Sequence, residues 1–77
     1  MSLEPHDTVV LLRDIPEHGL RAGDLGAIVY IHELRALDVE FVTASGRTTA
    51  LVTLKPEDVR AVADNDLVTV RTIGRTA

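Results

Sequence analysis

The chain has 77 residues, twelve acidic against eight basic side chains, a net charge of −4 and no cysteine. That length holds one core rather than two, and the missing cysteines exclude disulfides and thiolate metal sites. Net negative charge removes the long-range field that draws proteins onto phosphate backbones.

A domain this small has a thin stability margin. Without disulfides it is expected either to close into a compact barrel or to self-associate. The N-terminal "MSLEPHD" is acidic and lacks the apolar stretch of a secretion signal. No apolar run approaches the roughly 20 residues of a membrane span. A cytoplasmic chain away from the membrane is the expectation.

In chain order, "DTVVLLRD" (residues 7–14) is β-branched and too short for a helix, so it predicts a first strand. Val9 and Leu11 fall on one side, Val10 and Leu12 on the other, which predicts a strand covered twice. "IPEHGLRAGDLG" (15–26) combines Pro16 with Gly19, Gly23 and Gly26 and predicts a long ordered loop anchored by Leu20. Gly26 marks a bulge or a close backbone approach, and Asp24 is expected to accept a backbone N–H within the turn.

"AIVYIHE" (27–33) predicts a second strand, with Ala27, Val29 and Ile31 on one face and Ile28, Tyr30 and His32 on the other. "LDVEFV" (37–42) alternates cleanly, placing Leu37, Val39 and Phe41 inward and Asp38 and Glu40 in water. Ser45-Gly46 predicts a hairpin turn, and "TTALVTL" (48–54) returns with Ala50, Val52 and Leu54 inward. Pro56, Glu57 and Asp58 suit one 3₁₀ or α turn. Arg60–Val62 would be a short fifth strand, and "LVTVRTI" (67–73) one more strand or a loose tail.

Short strands with no helical stretch of ten residues predict an all-β fold, a small SH3-like barrel of about five strands with one short turn of helix before the last. Residues 1–62 form the barrel and 63–77 a C-terminal extension.

The glycines do not read as a phosphate cradle. A dinucleotide loop leads into a helix whose amides meet the pyrophosphate, whereas here a β-branched segment follows Gly26. His6, His18 and His32 lack metal-ligand spacing, so neither metal nor cofactor is expected. No nucleophile stands beside a fixed base, and Asp38 and Glu40 face outward, so the chain does not read as an enzyme. One Tyr and one Phe are too few for the stacking platforms of single-strand binders or for a proline-peptide groove.

The residues "DTVVLLRDIPEHGLRAGDLGAIVYI", "DVEFV", "GRTTALVTL" and "VRAV" resemble a small bacterial family of uncharacterised domains with an SH3-like fold. The shared pattern is an apolar first strand, an Asp-x-Pro-Glu-x-Gly-Leu loop, a Gly-Asp-x-Gly turn and a Thr-x-Ala-Leu-x-Thr-Leu strand. The resemblance covers residues 7–62. It implies a stand-alone accessory protein, with some members encoded near small toxin-like genes, which suits an antitoxin or immunity role. A broader similarity through "GLRAGDLGAIV" reaches the KOW-type barrels.

The reading that results is a non-catalytic protein-interaction module. Its expected contact surface is the glycine loop with Glu17 and Asp24 and the face bearing Ile28, Tyr30 and His32, its partner a basic protein encoded nearby. Val10, Leu12, Leu67, Val68 and Val70 supply further apolar surface or its cover, and a sheet edge offers a route to a homo-oligomer. A KOW-like RNA-associated domain is the alternative, with nucleic acid disfavoured by charge.

Overall fold

The computed structural model describes residues 3–73 and is all-β. Five strands, β1 (Thr8–Leu11), β2 (Leu25–Ile31), β3 (Leu37–Val42), β4 (Thr48–Leu54) and β5 (Val59–Ala61), form one antiparallel sheet in the order β4-β3-β2-β1-β5. Among the described residues the only helical elements are 3₁₀ turns, η1 (Pro16–His18) and η2 (Pro56–Asp58). Both begin with proline, whose fixed φ suits a first helical position.

The strand order forces the sheet to roll. β4 and β5 are its two edges, yet only Lys55–Asp58 separates them in sequence. Five flat strands would hold those edges about 19 Å apart, while a link compressed into a 3₁₀ turn reaches only about 12 Å. Rolling brings Leu54 and Val59 into one core with Val9, Leu11, Ile28, Val39 and Phe41. The link is fastened at both ends: Asp58 accepts the Lys55 N–H at 3.0 Å and the Arg13 Nε–H at 3.0 Å, and the Leu12 N–H donates to the Asp58 carbonyl at 2.8 Å.

β1 is buried on both sides, as its uninterrupted apolar run predicts, with Val9, Val10 and Leu11 all inside. Leu37, Val39 and Phe41 of β3, and Ala50 and Leu54 of β4, face the core as their alternation requires. β5 begins one residue earlier than expected, at Val59, because Val59 fills the core.

One expectation is corrected. The register of β2 against β3 slips between Ile28 and Tyr30: Ile28 pairs with Val39, but Tyr30 pairs with Asp38. Val29 is the extra residue of a bulge, which changes the inward phase. Gly26 and Ile28 are buried before the bulge, whereas beyond it Tyr30 is exposed and Ile31 packs against the core, so the inward set passes from even to odd positions. Of the two forms open to the tail, the described residues 67–73 take the one without regular structure. Positions 74–77, including Arg75, lie outside the described residues.

Candidate interaction surface

The loop from Asp14 to Asp24 is stitched by its own backbone and carboxylates. Ile15 and Leu20 exchange both backbone hydrogen bonds, Ile15 N–H to the Leu20 carbonyl at 2.9 Å and Leu20 N–H to the Ile15 carbonyl at 3.1 Å. Both side chains are buried, so the loop has its own anchor, Leu20 as predicted. η1 occupies the bend, and Gly19 closes it at φ +70°, donating its N–H to the Pro16 carbonyl at 3.0 Å. The left-handed conformation accounts for a glycine there.

Two aspartates accept two further loop amides. Asp14 Oδ1 accepts the Ala22 N–H at 2.8 Å, and Asp24 Oδ2 accepts the Arg21 N–H at 2.8 Å. The Gly23 N–H donates to the Leu11 carbonyl at 2.7 Å. Amides that a phosphate would need are thus already committed, and β2, not a helix, follows. Gly26 meets the expectation of a close approach. A Cβ there would lie 2.6 Å from Val39 Cγ1, 2.9 Å from Phe41 Cε2 and 3.1 Å from the Glu40 carbonyl oxygen.

Asp24 has a second partner that sequence reasoning missed. Arg71, from the tail, donates its Nε–H to Asp24 Oδ1 at 2.8 Å and its Nη2–H to both Asp24 Oδ2 and the Gly19 carbonyl, the latter at 2.9 Å. The hydrogen bond from Arg71 holds the Asp24 carboxyl below its ordinary value of 3.8; partial burial opposes this and the Arg21 amide reinforces it. A cleft of about 390 Å³ lies between the Asp14–Arg21 loop and Arg71–Thr72. The only sequence signal was compositional, a basic residue in an extended tail opposite an acidic loop, and residues 47 positions apart give no local pattern.

Glu17 sits exposed in η1 on the same loop. Tyr30 and His32 do not join it. They stand at the far end of β2, about 20 Å from Asp24 at the strand rise per residue. There the rings meet edge to face with centroids 4.8 Å apart. His32 Nε2 lies 3.0 Å from Asp38 Oδ2, and Thr53 Oγ1 donates to Asp38 Oδ1 at 2.7 Å. The Thr53 hydroxyl first, then His32, holds the Asp38 carboxyl below its ordinary value. The expected single surface is therefore two, an acidic loop and a Tyr30–His32–Asp38–Thr53 cluster, with Ile28 in the core between them. Val10 also leaves the candidate surface, being buried.

Gly46 turns the β3–β4 hairpin, its N–H donated to the Thr43 carbonyl at 2.9 Å. Among the described residues no three His, Asp or Glu side chains converge as a metal site, and no helix is long and apolar enough to cross a membrane.

No curated protein and no solved structure matches the chain. The model of a domain of unknown function, DUF4926, matches residues 5–61, a span that starts just before β1 and stops at the last residue of β5. The five-stranded sheet with its stitched loop is thus the matched unit, and this chain belongs to the DUF4926 family.

Proposed function

We propose that this domain is a non-catalytic protein-binding module whose contact surface is the glycine loop around Asp24, and whose partner is a basic protein. The observation that carries the reading is the grip of Asp24 and the Gly19 carbonyl on a guanidinium. Two carboxylate oxygens and a fixed carbonyl match the planar donor fork of arginine, and charge-assisted bonds of this kind are stronger than neutral ones. A net charge of −4 adds steering toward a cationic partner. An antitoxin- or immunity-like accessory role, in a cytoplasmic protein, fits that chemistry. The strand order and the 3₁₀ turn before the last strand support an SH3-like barrel as the scaffold.

The test is affinity capture with the tagged chain. One basic protein should copurify, be lost with Asp24→Lys and be retained with Tyr30→Ala at the distant end of β2. Capture indifferent to Asp24→Lys sinks the reading. Binding of mixed RNA that weakens steeply with salt would replace it with the KOW-like alternative.

A further inference from the structure

We propose that Gly19 and Asp24 form an arginine-binding cleft which residues 67–73 occupy as a displaceable strap, so that the partner presents an extended segment with arginine followed two residues later by a β-branched aliphatic side chain. The proposal rests on the loop being the contact surface, and it adds the chemistry of the occupant and the means by which the site is held shut.

The chain's own tail shows how such a segment sits. Arg71 fills the fork of Asp24 and Gly19. Two residues on, Ile73 packs against the core, its Cγ1 and Cδ1 lying 3.9 and 4.0 Å from the point where a Cβ on Gly19 would stand. Arg71 and Ile73 thus both meet the loop at Gly19, with Thr72 lining the cleft between them.

The receptor side does not depend on the tail for its shape. Asp24 is oriented by the Arg21 N–H, and its carbonyl accepts the Leu11 N–H at 2.8 Å. Gly19 is fixed by Pro16. A preorganised acceptor set of this kind remains ready when the occupant leaves.

Among the described residues, the strap is held at its two ends. At its start Arg60 grips Asp66 through two hydrogen bonds, Nη1–H to Oδ2 at 2.8 Å and Nη2–H to Oδ1 at 2.9 Å, and Asp66 Oδ2 also accepts the Ala63 N–H at 2.7 Å. Between these anchors Leu67, Val68 and Val70 are 91, 71 and 96 % exposed. No backbone hydrogen bond involves residues 67–73 among the described residues. The Arg71 and Asp24 side chains are 30 and 18 % exposed, so water and a second guanidinium can compete for the fork, and with no backbone hydrogen bond behind it the Arg71 end can release. Release would free the backbone of this segment, with its already exposed Leu67, Val68 and Val70, to pair with the incoming partner.

A tethered occupant lowers the affinity for a free competitor by the fraction of time the site is closed. The probe is the acetylated, amidated peptide Leu-Val-Thr-Val-Arg-Thr-Ile, titrated into the full ¹⁵N-labelled chain. The peptide should bind the Arg71→Ala variant at least about tenfold more tightly than the wild type, shifting the amides of Gly19, Ala22 and Asp24. Binding should vanish when the peptide arginine becomes alanine or when Asp24→Asn is added. Arg71→Lys, which keeps the charge but not the fork, should expose the site as well and serves if Arg71→Ala fails to fold. Equal binding to wild type and variant, or none to a folded variant, overturns the strap. If the peptide fails while Asp24-dependent capture of a basic protein persists, the contact surface stands and only its intramolecular occupant is wrong; loss of both sinks the underlying reading too.

Discussion

Gly26 and Gly23 restrict the chain for opposite reasons, and substitution separates them. Gly26 lies under Val39 and Phe41 with the Glu40 carbonyl oxygen 3.1 Å from its missing Cβ, so the obstacle is packing. Gly26→Ala should lower stability by about 1–3 kcal/mol, the usual cost of an overpacked core, read from the urea midpoint at unchanged slope. Gly23 has nothing within 4 Å but stands at φ +99°; Gly23→Ala should cost about 1–2 kcal/mol through backbone strain alone. The sequence leaves Gly26 as a bulge or a close backbone approach, and the structure takes the second, with the bulge at Val29 instead. The turn at Arg35 was not legible: a positive φ of 71° at a charged residue leaves no mark in the sequence. At Asp66 the grip of Arg60, aided by the Ala63 amide, pulls the carboxyl from 3.8 to about 2. The folded value lies below the unfolded one, so the lock is complete above about pH 4 and is lost as pH falls through 2. A carboxyl ¹³C titration of Asp66 with a midpoint near its ordinary value would show that the lock is absent in solution.

The loop between β1 and β2 behaves as an element in its own right because Ile15 and Leu20 pair and bury together. Leu20→Ala should destabilise the domain by about 2–5 kcal/mol, the range for large-to-small changes in a core. It should also raise hydrogen exchange at the Ile15 and Leu20 amides. The anchor was readable from one leucine flanked by glycines and charges. The 3₁₀ turn at Pro16 was not, since three residues carry no periodicity. β3 and β4 were readable for the contrary reason: strict alternation survives whenever one face is buried and the other wet. The same rule misled at β2, where every residue from Leu25 to Ile31 except Gly26 is apolar and the bulge at Val29 shifts the phase without changing the composition. A candidate face drawn through Ile28, Tyr30 and His32 could not survive that shift.

Taken whole, the molecule divides at Ala61. The matched domain ends there, and the Arg60–Asp66 lock and the strap lie at or beyond it. A chain ending at Asp66 should keep a cooperative thermal transition and the same far-ultraviolet dichroism per strand residue, since among the described tail residues none is in a strand and only Ile73 packs against the core. Loss of the transition would mean that the tail is part of the fold. The scale at which sequence reasoning had least purchase is this one: the Asp24–Arg71 contact joins residues far apart through geometry set only after the sheet rolls. That geometry also dictates when the protein can be made. Val9 registers with Ala61, so the first strand waits for the last across almost the entire matched domain. A chain emerging from the ribosome can form its β2–β3–β4 meander early, but it carries β1 with one flank bare until β5 is out. The exposure of that apolar strand, and with it the risk of sticking to neighbouring nascent chains, ends only when β5 has emerged to pair with it.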